Sequence, residues 1–379
     1  MKKVINWLES PPLIVNNFHS SYIGLVYPEA QYLLHGGEID VAIQSLSRPN
    51  VRKVIVAELN PTTATLGEWK KQAIRELSRV ELGSFLFSLE WPYSHKESRW
   101  TYRPFPEFQE SGRHINLKKV ARRVSRNLPK HLRKEMDRRM DRILKSDYGS
   151  NNGPISNLHY LVPGAYEKIK QNIDKLEIVS GDVFSAISKL PDESQDIISL
   201  NNILDYTSTE LIYPFTQCYE KLRKNGRLII VTAEWPKKSK YSEFIPVYHC
   251  RDGSIRAGQR VPGFGGGMHN EPPEGADEML KLSTLLREIG FRKKRDKIYS
   301  RYIFMEHGES PLDYVDKLPI IKPTAGMGIK RMDEWKKKRL LVTSPDYDRI
   351  LYQLDKTPCY LLYRIGINPG NAFVEIYKK

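Results

Sequence analysis

Short continuous apolar runs alternate, from Tyr32 onward, with stretches whose apolar residues recur every three or four positions. The first kind predicts strands buried on both faces and the second amphipathic helices. Tyr32-Leu33-Leu34 is an apolar run that ends at His35-Gly36-Gly37. Between Glu38 and Leu46, residues Ile39, Ala42, Ile43 and Leu46 keep helical spacing. Val51 to Glu58 encloses Val54-Ile55-Val56-Ala57, the pattern of a central strand. Asn60 then reads as an N-cap with Pro61 at the first helical position, opening a helix to about Ser78.

The same alternation resumes at Lys175. Leu176 to Val179 reads as a strand, Gly181-Asp182 as a turn into a short helix through Ile187, and Asp196 to Leu200 as the next strand. Thr209 to Leu222 predicts a helix, Asn225-Gly226 a turn, and Arg227 to Thr232 another buried strand. Ala276 to Ile289 reads as a helix, and Phe291 to Glu306 as two closing strands. Strand and helix in strict alternation imply a mainly parallel sheet covered on both faces. The expected architecture is therefore α/β and Rossmann-like, its halves at 31–80 and 175–310, after an N-terminal extension over 1–30. Residues 81–174 form a helical insertion, 234–275 a Pro- and Gly-rich loop, and 311–379 a small C-terminal α+β appendage with no assignable chemistry. The loop follows the last core strand, which makes it a candidate lid as readily as a plain surface loop.

Charge adds one feature to this picture. The chain of 379 residues has a formal net charge of +15, and between Arg113 and Lys145 stand thirteen Lys or Arg against three acids. In that stretch Leu117, Val120, Val124, Leu128, Leu132, Met136, Met140 and Ile143 follow a three-or-four stride, with Pro129 dividing it into two helices. The apolar stripe reads as packing against the core. The basic face is either simply solvated or lies against anionic lipid or nucleic acid. No run of eighteen apolar residues occurs, so no spanning helix is expected. Met1 to Glu9 shows no leader pattern, and Cys218, Cys250 and Cys359 form neither a disulfide framework nor a metal site. A cytoplasmic protein, peripheral at a membrane if its basic face meets lipid, is the expectation.

Candidate chemistry collects at the predicted strand ends, where such folds bind ligands. A glycine lets backbone approach a ligand closely, and an acid at the end of the second strand can accept from ribose hydroxyls. Gly36, Gly37 and Glu58 occupy these places, with Asn60 beyond them. The full dinucleotide pattern G-x-G-x-x-G is absent, and Glu38 follows the glycines, where it would repel a phosphate. A nucleoside cofactor without phosphates fits better, and S-adenosylmethionine is one. At the third strand end Asp182 can accept from an exocyclic amine, while the amide of Val183 serves a ring nitrogen. At the fourth, Asn201 and Asn202 would orient the amino-acid end of the cofactor. Each position also has a plainer reading: a glycine pair makes turns, an Asp after a strand caps a helix, and Glu58 could be a solvent-exposed strand end.

The stretch from Ile178 to Thr232 resembles the class I S-adenosylmethionine-dependent methyltransferase fold. It carries Gly181-Asp182-Val183-Phe184, Leu190-Pro191-Asp192, Asn201-Asn202-Ile203-Leu204-Asp205-Tyr206 and Lys224-Asn225-Gly226-Arg227-Leu228. Val56-Ala57-Glu58-Leu59-Asn60-Pro61, continuing to Glu68-Trp69-Lys70, and Tyr160-Leu161-Val162-Pro163 through Tyr166, are similar to segments of the betaine-lipid family. Its members are S-adenosylmethionine:diacylglycerol 3-amino-3-carboxypropyltransferases. The resemblance covers roughly residues 30–80 and 155–235. It implies an S-adenosylmethionine-dependent transferase that attacks either the methyl group or the methionine Cγ, with a lipid hydroxyl as one acceptor. A hydroxyl acceptor requires a base within hydrogen-bond reach. His159, Tyr160 and Asp205 are the candidates, with His269 added if the lid closes. His159 and Tyr160 could equally be packing contacts, and Asp205 a helix cap. A third reading, a nucleic-acid-binding protein with a repurposed pocket, lacks the interleaved aromatics of a single-strand platform.

Overall fold

The structure is a computed structural model that describes residues 29–88, 111, 114–145, 161, 164–201, 203–205, 210–233, 246–262, 268–295, 304–305, 340–341 and 372–379. Five strands run parallel: Tyr32–Gly36 (β1), Lys53–Glu58 (β2), Leu176–Ser180 (β3), Gln195–Asn201 (β4) and Leu222–Ala233 (β5). The connecting helices are Ile39–Ser45 (α1) and Pro61–Glu76 (α2), then Arg79–Ser88 (α3), Leu117–Arg126 (α4), Lys130–Lys145 (α5) and Ala165–Asn172 (α6) in the insertion. Val183–Ser188 (α7), Ile212–Lys221 (α8) and Leu282–Ile289 (α9) complete the set. Later strands are Pro246–Cys250 (β6), Ile255–Ala257 (β7), Gln259–Pro262 (β8), Met268–Glu271 (β9), Ala276–Lys281 (β10), Arg292–Arg295 (β11), Phe304–Met305 (β12), Leu340–Leu341 (β13) and Ala372–Lys378 (β14).

The central sheet has the order β11-β14-β5-β4-β1-β2-β3. β14 is antiparallel to β5 and to β11, so β11 points the same way as the five-strand parallel block. The order 3-2-1-4-5 from the β3 edge is the doubly wound one. Alternation along the strands separates the two faces. Leu34, Ile55, Ala57, Ile198, Leu200, Leu228 and Ile230 pack with Val183, Ile187, Phe215, Leu282 and Leu286 from α7, α8 and α9 in one buried cluster. Their neighbours in sequence, Leu33, Val54, Val56, Ile197 and Ile229, are buried too, as a sheet covered on both sides requires.

Several boundaries differ from expectation. Ala276 to Ile289 is a strand and then a helix, because Ala276 to Lys281 pairs antiparallel with β6 and only Leu282 onward is helical. The expected loop over 234–275 contains β6 to β9 instead: β10-β6-β7 is a three-stranded sheet, and β8-β9 is a hairpin. Two of its described glycines, Gly253 with φ of 80° and Gly275 with φ of 77°, stand in turns between short strands. Among the described residues from Phe291 to Glu306, Arg292–Arg295 joins the central sheet, whereas Phe304–Met305 pairs with Leu340–Leu341. The run Ala372 to Tyr377, expected in a C-terminal appendage, lies inside the central sheet beside β5. The helix expected from Thr209 begins at Ile212, where both carboxylate oxygens of Glu210 accept the first amides, from Ile212 and Tyr213.

Within the insertion, α4 and α5 are separated at Pro129 as the sequence predicts. Val120, Ala121, Val124, Leu128 and Met136 are buried, where α4 and α5 pack on α2. Lys118, Lys119, Arg122 and Arg126 stay exposed on the other side of α4. Arg123 bridges to Glu81 in the first turn of α3 at 2.7 Å.

Candidate functional site

The registers bring the ends of four strands level. Gly36 lies opposite Ala57 and Leu200, Ala57 opposite Val179, and Glu58 opposite Ser180. β1 has β2 on one side and β4 on the other, so the chain leaves in opposite directions from this edge. That is the topological switch point at which open α/β sheets bind ligands.

Two hydrogen bonds stitch the turns of this edge together. The Gly37 N–H donates to the Ala57 carbonyl at 2.7 Å, and the Gly181 N–H donates to the Glu58 carbonyl at 2.9 Å. The two glycines after β1 serve different ends. A β-carbon on Gly36 would stand 2.9 Å from Val183 Cγ2 and 3.3 Å from Ile203 Cγ1, so this glycine admits protein packing. Gly37 has φ of 72°, and a β-carbon there would meet nothing within 4 Å. Of the pair, Gly37 is the one with open space where a side chain would stand.

Glu38 continues the turn in the left-handed region, with φ of 58°. It is only 6% exposed, so its carboxylate lies in a poorly screened environment behind the glycines. Two residues further, Asp40 accepts both 2.8 and 2.7 Å bonds from Lys70 Nζ, and both side chains are buried between α1 and α2.

Glu58 ends β2 half-buried, and its Oε1 accepts the Asn60 N–H at 3.1 Å. Burial raises its pKa above the ordinary carboxylate value, with the Asn60 N–H working in the opposite direction. Asn60 itself is 8% exposed, and its Oδ1 accepts the Thr62 N–H at 2.9 Å. The structure therefore gives Asn60 the part of a helix cap. Leu59, between them, is 73% exposed.

Asp182 caps α7 by accepting the Ser185 N–H on Oδ2 at 2.7 Å. The plainer reading of this residue is realised, and Oδ1 remains on an exposed side chain. Val183 is 4% exposed and turns its side chain onto Gly36. Its amide opens α7, among the helix-start donors that have no intrahelical acceptor. Asn201 ends β4 opposite Val231, and Asp205 ends a single 3-10 turn, Ile203–Asp205, against which β8 lies. The side chains of Asn201, Asp205 and His269 lie outside the described residues, as do Asn202, His159 and Tyr160 entirely. Leu161, next in the chain, is held where its carbonyl accepts from Arg79 Nη1 at 3.1 Å.

His35, on β1 just before the glycines, is fully buried. Its Nε2 lies 2.9 Å from Ser45 Oγ, which itself donates to the Val41 carbonyl, so Nε2 carries the proton and Nδ1 is bare. Burial first, and then the charge of Arg48, lower the imidazole pKa to about 3. Sequence reasoning passed over His35, Leu59 and the Asp40–Lys70 pair. Only Leu59 carried a local signal, as an apolar residue between a strand-end acid and a helix cap.

The strand order, with an antiparallel strand between the fifth and the outermost, is that of the class I methyltransferase fold. No family model matches the chain, and no curated protein matches it. Among solved structures it is similar to an S-adenosylmethionine-dependent methyltransferase from Mesorhizobium loti, at 9% identity over 92% of this chain and 91% of that one, with a TM-score of 0.28. A methyltransferase of the same cofactor dependence from Archaeoglobus fulgidus matches at 15% identity over 56% and 72% of the two chains, with a TM-score of 0.22. The YcgJ protein of Bacillus subtilis matches at 10% identity over 96% of each, with a TM-score of 0.30. Among the described residues, no helix is long and apolar enough to cross a membrane.

Proposed function

We propose that this protein is an S-adenosylmethionine-dependent transferase. The observation that carries the reading is the stitched edge at the switch point. There, open backbone at Gly37, the Glu58 carboxylate and the exposed Leu59 face the same end of the sheet. Glu58 Oε2 suits a ribose hydroxyl, Leu59 an adenine face, and Asp182 Oδ1 with the Val183 amide the adenine edge. An acid at Glu38, next to the glycine turn, is a poor neighbour for a pyrophosphate and a tolerable one for a cationic cofactor. When bound, the cofactor supplies an electrophilic carbon on a sulfonium, so the protein has to align an acceptor and take its proton. Asn201 and Asn202 are proposed to orient the amino-acid end, and Asp205, His159 or Tyr160 to serve as base.

The resemblance of Val56 to Pro61 favours transfer of the 3-amino-3-carboxypropyl group to a lipid hydroxyl; methyl transfer is the alternative. Calorimetric titration with S-adenosylmethionine tests the shared part, with tight binding expected for the wild type and loss for Glu58→Ala. Undiminished binding by that variant removes the ribose assignment. Mass spectrometry after turnover with a cell lipid extract settles the group moved: methylthioadenosine supports aminocarboxypropyl transfer, and S-adenosylhomocysteine supports methyl transfer.

An anionic lipid surface is the proposed partner of α4. Its exposed Lys118, Lys119, Arg122 and Arg126 have no acid on their own helix, while its apolar side is spent on packing. Contact by charge alone is worth about 1 kcal/mol per basic residue near an anionic leaflet. Co-sedimentation with phosphatidylserine vesicles that vanishes at high salt is the expected result.

A further inference from the structure

The Asp40–Lys70 pair lies where an ion pair is costly. Asp40 is fully buried and Lys70 is 4% exposed, and their carboxylate and ammonium meet between α1 and α2. All seven residues of α1 are buried, so burial alone would be served as well or better by apolar residues at both positions. Removing two charges from water is the larger expense, and a buried pair is best understood by what it fixes.

What it fixes is next to the candidate site. Asp40 is the second residue of α1 and follows two consecutive left-handed residues, Gly37 and Glu38. Left-handed backbone disfavours a residue with a β-carbon, so Glu38 keeps this conformation only if its surroundings enforce it. Lys70 belongs to α2, which begins at Pro61, after Glu58, Leu59 and the cap Asn60. The pair therefore spans thirty residues of sequence to tie the start of the helix after the glycine turn to the helix after the strand-end acid. A second contact lies one helical turn away. A β-carbon on Gly67 would come 2.5 Å from Ile39 Cδ1 and 2.9 Å from Ile178 Cδ1, so α2 presses directly on the first residue of α1 and on β3.

We propose that the Asp40–Lys70 ion pair, with the Ile39–Gly67 contact beside it, holds the Gly37–Glu38 turn in place against Glu58, and that Lys70 and Asp40 are positioning residues for the cofactor site. The pair touches no ligand atom in this account; it acts through the turn. The inference rests on the proposed cofactor reading for its effect on affinity, but not for its effect on the turn.

The test uses Lys70→Met, the double variant Asp40→Leu/Lys70→Met, and the neutral hydrogen-bonding double variant Asp40→Asn/Lys70→Gln, all in the full chain. Three quantities are read: melting temperature, affinity for S-adenosylhomocysteine, and deuterium uptake of the peptide containing Gly37 and Glu38. Lys70→Met should melt lower, because it strands a buried carboxylate. The apolar double variant should recover melting temperature yet bind the nucleoside at least tenfold more weakly, with raised uptake confined to the turn peptide. The neutral polar pair should restore protection and affinity in part. If the apolar pair recovers all three quantities, the ion pair is merely structural and the proposal is overturned. If the apolar pair does not fold, unchanged turn uptake in a folded neutral pair or in Lys70→Met overturns it equally. If the wild type does not bind the nucleoside, the cofactor reading fails, and the uptake of the turn peptide alone decides on positioning.

Discussion

Gly36 and Val183 meet so closely that a β-carbon on the glycine would stand 2.9 Å from the valine Cγ2. Gly37, one residue on, has open space where its β-carbon would be. Alanine at the two positions should therefore fail differently. Gly36→Ala overpacks the junction of β1 with α7 and is expected to cost about 1–3 kcal/mol of stability. Gly37→Ala meets left-handed strain of about 1–2 kcal/mol but no clash. Its methyl group instead intrudes on the ligand side of the turn, and nucleoside affinity should fall at least tenfold. Chemical denaturation and calorimetry on both variants separate the two. A Gly37→Ala protein that binds S-adenosylhomocysteine like the wild type would move the cofactor away from this turn.

Glu58 links stability and binding in opposite senses. Its pKa is raised by burial, so folding favours the protonated acid. The cost of burying its charge is absent below the unfolded pKa and develops as pH rises through the raised folded value. At neutral pH Glu58→Gln should therefore melt no lower than wild type, and by this linkage somewhat higher. Binding runs the other way, because the carboxylate accepts from hydroxyls and the amide does so less well. A charged hydrogen bond of about 1.5–3 kcal/mol corresponds to a loss of roughly 10- to 100-fold in affinity. Loss of stability and affinity together would mean that the carboxylate is structural.

The features legible in the sequence are those whose causes are local. Asn60 and Pro61 announced α2 because a cap and a pre-set φ need no distant partner. Pro129 divided the basic helices for the same reason. The order of Gly36, Glu58, Asp182 and Asn201 at strand ends was legible because alternation of strand and helix fixes which ends share an edge. What failed was non-local. Ala276 to Lys281 has helical spacing, yet pairing with β6 makes it a strand. Ala372 to Lys378 could be read as a strand but not as the neighbour of β5, more than a hundred residues earlier in the chain. Asp40 and Lys70 look like surface charges until α1 and α2 close over them. Asp182 read equally as a ligand or a cap, and its bond to Ser185 selects the second without consuming Oδ1.

His35 should dominate part of the acid sensitivity of folding. Its pKa falls from 6.5 in the unfolded chain to about 3 in the fold, so between these values the unfolded state binds one more proton. Stability from this group is complete above pH 6.5 and is lost as pH falls toward 3, with a slope approaching about 1.4 kcal/mol per unit. Between pH 7 and pH 4.5 the loss comes to about 2–3 kcal/mol. Urea denaturation at several pH values should show this slope for wild type and a shallower one for His35→Gln. Equal slopes would place the sensitivity in other groups.

Leu59 offers the cleanest separation of folding from binding. At 73% exposure it contributes little to the folded state, and changes at such positions away from special features stay within about 0.5 kcal/mol. Its place is unusual nonetheless, because the residues on either side are committed: Glu58 receives the Asn60 amide, and Asn60 caps α2. The backbone at Leu59 is thus fixed while its side chain projects from the site edge. If an adenine ring lies there, binding covers the isobutyl group, and burial of a leucine side chain is worth about 1.5–3 kcal/mol when complete. Leu59→Ser should leave the urea midpoint almost unchanged and weaken S-adenosylhomocysteine binding by about tenfold, from burial that is only partial. Adenosine should lose the same factor as the full nucleoside, since both carry the ring. Methionine, which lacks it, should bind the variant and the wild type alike. Equal affinity for adenosine in the two proteins would place the ring elsewhere on the edge and leave Leu59 as a solvent-exposed residue with no part in recognition.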